Sequence, residues 1–149
     1  AWESQRIQFL ISTRWIVTMC KFEQAMYQNP DQDLNKLWWD MVEKYQSIRR
    51  QDDRDQPDWA AKLHLALSPV YYQNYLLGEM MAAQLLHYIR KDALKTGSDE
   101  ELFTSPAVGK WLKEKIFIPG QIRQWEDGLE FAVGERLNPR YFSEQLYNN

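Results

Sequence analysis

Trp15-Ile-Val-Thr-Met-Cys-Lys-Phe-Glu-Gln-Ala-Met26 is the stretch that decides the fold. It contains neither glycine nor proline, and its apolar side chains continue a series begun upstream. Ile7, Leu10, Ile11, Trp15, Thr18, Phe22, Ala25 and Met26 recur at close to 3.6 residues, the spacing of a helix with one buried face. A half-buried strand would alternate every second residue instead. A helix is therefore predicted from Trp2 to about Tyr27, stopped by Asn29-Pro30.

The same pattern extends through the rest of the chain. Asp31 or Asp33 can cap a second helix carrying Leu34, Leu37, Trp38, Met41, Val42 and Tyr45. Arg49 to Pro57 is charged and reads as a solvated loop, while Trp59 to Leu67 fits either a short extended crossing or a helix end. Ser68-Pro69, a hydroxyl followed by proline, predicts a long helix from Pro69 to about Leu94. Gly97 is its expected C-cap. Ser105-Pro106 repeats the start signal for a helix to about Ile116, and Pro119-Gly120 is a turn. A helix from Ile122 to about Val133 ends at Gly134, and Asn138-Pro139 opens a short last one. The expected class is all-α, about six helices with one long central helix, in a single domain over residues 1–149.

Composition narrows the function. A net charge of -3, with no basic stripe, argues against a nucleic-acid partner. No apolar run reaches the length of a membrane helix. Cys20 is the single cysteine, so an internal disulfide and a cysteine-rich zinc site are both excluded. Its apolar neighbours make it a core residue rather than a reactive thiol. Seven Trp, eight Tyr and six Phe exceed what a core of this size uses, so some should cover an interface or line a groove. The chain starts at Ala1 without Met, with Trp2 already inside a helical pattern. A boundary inside a longer protein is the expectation, which leaves the compartment open.

The chemistry concentrates in Lys62-Leu-His-Leu-Ala-Leu-Ser-Pro-Val-Tyr-Tyr-Gln-Asn-Tyr75. Lys62 and His64 project to one side if the segment is extended. Tyr72 and Tyr75 share a face if it is helical. Together they can donate hydrogen bonds to a carboxylate or an oxyanion, but they include no nucleophile and no metal cage. By residue statistics a histidine between two leucines is structural more often than catalytic, and a Tyr72/Leu76/Glu79 stripe is more often core than site. Glu79 is expected to anchor a phenol or a backbone group rather than to act as an acid. His87 reads as a partly buried structural histidine. No His-Glu-x-x-His, glycine-rich phosphate loop or Gly-x-Ser-x-Gly elbow is present. Asp52, Asp53 and Asp55 lack the glycine and glutamate of a calcium loop.

From Lys62 to Glu79 the sequence resembles the C-terminal part of the angiotensin-converting-enzyme (peptidyl-dipeptidase A) family of zinc metallopeptidases, related to thimet-type oligopeptidases. Leu37-Trp38-Trp39 and Lys44-Tyr45-Gln46 are similar to the run before that motif in the family. Gly109-Lys110-Trp111-Leu112, Trp125, Gly134-Glu135 and Tyr141-Phe142 follow its closing helices in order. The resemblance implies a fragment of a larger helical, gluzincin-type peptidase. It implies zinc held by two histidines of His-Glu-x-x-His and a downstream glutamate, all upstream of this chain, so that metal ligands within it are none. It implies that Lys62 and Tyr72 grip the C-terminal carboxylate of a peptide substrate. His64 would bond the substrate backbone near the cleaved bond, and Tyr75 would donate to the oxyanion of the tetrahedral intermediate. Tyr72 is preferred to Tyr71 because it keeps the Tyr-x-x-Tyr spacing to Tyr75. Asn74 stands where the family carries an arginine that takes part in chloride binding.

The reading is thus the C-terminal substrate-binding portion of a zinc-dependent peptidase, inactive on its own, whose first partner is the N-terminal part of the same polypeptide. The alternative is a non-catalytic helical module that binds a peptide or a partner helix in an aromatic groove. A third possibility is a helical scaffold in which Lys62 and His64 are closed to solvent.

Overall fold

The computed structural model describes residues 2–95, 98 and 100–147. Among the described residues there are seven α-helices and no strand, so the all-α class holds. The longest helix is α1 (Trp2–Gln28), not a central one. The chain divides into two compact units, Ala1–Leu76 and Leu77–Asn149.

In the first unit, α1 is followed by α2 (Leu34–Gln46). The side chain of Asp33 caps α2 by accepting from the Lys36 amide at 2.9 Å, so Asp33 rather than Asp31 is the cap. Gln32 donates to the Ala25 and Asn29 carbonyls, tying the turn after α1 back to its last turn. Met19, Phe22, Trp38 and Val42 form the buried core. Trp38 stands edge-on to both Phe22 and Trp15, with centroids 5.1 and 5.8 Å away, a favoured aromatic geometry. Arg14 donates to the Tyr45 carbonyl and to Ser47 Oγ. The middle of α1 thus meets the end of α2, as in an antiparallel pair with a short connection.

The charged segment after α2 is exposed, yet it is tied back. Asn35 donates to Asp55 at 3.1 Å and accepts from Trp59 Nε1 at 3.1 Å. The Trp59 ring rests 5.9 Å from that of Phe22. The chain therefore returns to the α1–α2 core just before Lys62.

Here the structure departs from expectation. Lys62 is an extended N-cap, but a short helix, α3 (Leu63–Ala66), begins immediately after it. Ser68-Pro69 does not start the next helix, because 68–72 is a turn and α4 spans Gln73–Tyr88. Val70 has φ +55, a left-handed conformation that a β-branched residue adopts only under constraint. The constraint is Glu23 of α1, 5% exposed, whose carboxylate accepts from the Val70 amide at 2.6 Å.

In the second unit, α4 runs into a π-helical turn over Ile89–Leu94. Then come α5 (Pro106–Leu112), a π-helical turn over Lys113–Phe117, α6 (Trp125–Val133) and α7 (Arg140–Tyr147). Pro106 occupies the expected first turn of α5, and Gly134 caps α6 with φ +84, a conformation suited to glycine. α6 starts three residues later than Ile122. The expected Gly97 cap lies outside the described residues. Ile89, Val108, Trp111, Leu129, Ala132 and Val133 form the core of this unit. Gln84, fully buried, donates to the Arg136 carbonyl at 3.0 Å and accepts from the Asn138 amide at 2.9 Å. One amide side chain thus fixes the link between α6 and α7 with both of its polar ends.

Candidate substrate-gripping site

Lys62, His64, Tyr72 and Tyr75 all belong to the first unit, and the turn at 68–72 folds them into one cluster. His64 Nε2 lies 2.9 Å from the Tyr75 hydroxyl. The imidazole is ringed by three phenols, with centroid separations of 5.7 Å to Tyr71, 4.8 Å to Tyr72 and 5.5 Å to Tyr75. Tyr71 and Tyr75 are 45% and 46% exposed, so the cluster opens to solvent in this unit. His64 is engaged internally with Tyr75, as an inert scaffold would have it, but His64 and Lys62 are half-buried rather than closed to solvent.

The protonation pattern decides what the His64–Tyr75 pair can do. When Nε2 carries the proton, His64 donates to the Tyr75 oxygen and the phenol proton is left to donate elsewhere. In the other tautomer Tyr75 donates to His64 and is consumed. Only the first arrangement serves an oxyanion.

Tyr72 and Lys62 are organised by a residue that sequence reasoning assigned only to the core stripe. Trp15 Nε1 donates to the Tyr72 hydroxyl at 2.7 Å. The Lys62 ammonium sits over the rings of Trp15 and Trp38, 5.3 and 5.7 Å from their centroids, within cation–π range. The available signal was that a half-buried indole N–H requires an acceptor. Glu23 was also missed; a carboxylate on the apolar face of α1 needs a donor when buried. Cys20 is half-buried rather than part of the buried core, and burial pushes its thiol above the ordinary value.

Glu79 is exposed on α4. In the second unit, His87 is exposed rather than partly buried, with its ring 4.5 Å from that of Tyr141. Trp111 and Phe142 are core residues, and Glu135 accepts from Tyr88 and Tyr141. These closing-helix positions therefore maintain the second unit.

Among the described residues no group of three His, Cys, Asp or Glu side chains could hold a metal ion. Nor is any helix long and apolar enough to cross a membrane. The cluster is a set of donors with one positive charge. Those donors and that charge suit an anion or developing negative charge.

Residues 25–149 match the Carboxypeptidase Taq (M32) metallopeptidase family, and the chain belongs to that family. Carboxypeptidase 1 of Bacillus subtilis (strain 168) is 30% identical over 136 residues, covering 89% of this chain and 27% of that protein. Thermostable carboxypeptidase 1 of Pyrococcus furiosus is 28% identical over 111 residues, 74% of this chain and 22% of that protein. The chain thus spans about a quarter of the length of these curated relatives. No solved structure matches it. The metallopeptidase class expected from the sequence holds, with the Taq-type carboxypeptidases as the family rather than the converting enzyme or the thimet-type oligopeptidases.

Proposed function

We propose that this chain is the C-terminal, substrate-gripping portion of a zinc carboxypeptidase that removes residues from the free carboxyl end of peptides. The observation that carries the reading is the cluster itself. An ammonium, an imidazole and phenols converge where a helix, a strained turn and a second helix meet. Family membership supports the metal chemistry, and the names of the relatives favour carboxypeptidase over peptidyl-dipeptidase action.

The division of labour follows from the donor types. Lys62 supplies the charge that a terminal carboxylate requires, and Tyr72 adds a neutral, directional donor. Tyr75 donates to the oxyanion once His64 donates to it. His64 keeps that phenol in the useful orientation and stands beside the substrate backbone. Zinc, when bound by the remainder of the protein, polarises the carbonyl and activates water. The cluster in this chain supplies binding and charge stabilisation only. The partners are the peptide and the rest of the same polypeptide.

The test is made on the full-length enzyme. Tyr75→Phe should lower kcat on the order of a hundredfold, with KM changed little, because the donor acts on charge that exists only in the transition state. An unchanged kcat removes the oxyanion role. Product analysis on an unblocked peptide should give single amino acids. Dipeptides would instead favour the peptidyl-dipeptidase pattern, and peptide binding without cleavage would favour the non-catalytic module.

A further inference from the structure

We propose that Trp15 is a positioning residue that sets selectivity for a free carboxylate, by aiming the Tyr72 proton and seating the Lys62 ammonium. The inference rests on the reading of Lys62 and Tyr72 as the carboxylate grip. An indole N–H can only donate. The 2.7 Å contact from Trp15 Nε1 therefore fixes the Tyr72 oxygen as acceptor. The phenol proton must then point away from Trp15. A hydroxyl that accepts one bond also becomes a better donor of the next.

The same indole shares the seating of Lys62 with Trp38, its ring centroid 5.3 Å from the ammonium and that of Trp38 5.7 Å away. One side chain thus touches both a neutral and a charged donor. Its own position is determined from behind: Trp15 stands at 88° to Trp38, which is 3% exposed, and the adjacent Ile16 is buried. A pair made of a directed O–H and a cation complements a ligand that only accepts and carries negative charge. A carboxylate meets both conditions. A primary amide offers one acceptor oxygen, carries no charge and sets its N–H groups against the second donor, so the same geometry disfavours it.

The experiment compares Trp15→Phe with the parent full-length enzyme. Phenylalanine keeps a ring against Trp38 and beneath Lys62 but removes the donor. The probes are an N-acylated dipeptide with a free carboxylate and its C-terminal primary amide, each used as a competitive inhibitor. Inhibition by the acid should weaken about tenfold, and inhibition by the amide should stay within twofold. KM for an unblocked peptide should rise with kcat nearly constant. In a Tyr72→Phe background, Trp15→Phe should have no further effect on acid binding. A benzothiophene analogue at position 15 replaces only the N–H by sulfur and gives the same comparison at unchanged ring volume.

Equal weakening of acid and amide would make Trp15 merely structural and overturn the proposal, as would full additivity with Tyr72→Phe. Lys62→Met and Tyr72→Phe separate the two levels of argument. If neither narrows the preference for acid over amide, the grip itself is wrong. If both narrow it and Trp15→Phe does not, only the role of Trp15 fails.

Discussion

Glu135 shows how single residues of the second unit respond to pH. Its carboxylate accepts from the Tyr141 and Tyr88 hydroxyls and from Asn138 Nδ2. The Tyr141 bond, first among these, holds the Glu135 carboxyl below its ordinary value of 4.5. The same bond raises the Tyr141 phenol well above its ordinary 10.0. The depressed acid contributes stability that is present above 4.5 and is lost as pH falls through its folded value. The raised phenol contributes stability that is present below 10.0 and is lost as pH rises through its folded value. Tyr141→Phe, which removes a hydrogen bond of about 1 kcal/mol, should therefore lower the melting temperature most between these limits. Its deficit against the parent should shrink in acid and again in strong alkali. A deficit that does not vary with pH would assign the loss to packing instead.

At the scale of elements, the turn between α3 and α4 explains both what the sequence made legible and what it concealed. Helix stops and caps held where the information is local. Pro30 follows the end of α1, Asp33 caps α2, Pro106 opens α5 and Gly134 closes α6. Ser68-Pro69 carries an equally good local start signal, yet the helix begins at Gln73. The deciding contact is Glu23 to the Val70 amide, across 47 residues, and a local pattern does not contain it. The four candidate residues were legible as types and spacings. Their convergence was not, because it depends on that turn and on Trp15, 57 residues from Tyr72. A left-handed β-branched residue costs roughly 1–2 kcal/mol, which glycine avoids. Val70→Gly should therefore leave the full-length protein as stable or up to about 1 kcal/mol more stable, while lowering kcat/KM because the turn no longer has one conformation. Glu23→Leu should destabilise by about 1 kcal/mol or more by removing the charged acceptor of the Val70 amide. Thermal melts beside peptide-hydrolysis rates check both variants. A Val70→Gly enzyme that loses stability and retains full kcat/KM would contradict the strained-turn account.

For the whole molecule, the donor inventory sets what the chain does alone. The Lys62–Tyr75 cluster lies within one unit, while no group of three metal-ligating side chains exists among the described residues. On the proposed reading, binding and metal chemistry come from different stretches of a protein whose relatives are about four times longer than their matched segments. Two preparations separate these contributions. The full-length protein should hydrolyse peptides, lose that activity on dialysis against a zinc chelator and regain it when zinc is restored, because the ion and its bound water drive the reaction. The 149-residue chain should show no hydrolysis with or without added zinc. Nor should it retain the ion through gel filtration, since a site with fewer than three protein ligands binds zinc too weakly. Zinc eluting in one-to-one ratio with the short chain would mean that the chain builds its own metal site, and the division between gripping and metal-bearing parts would have to be redrawn.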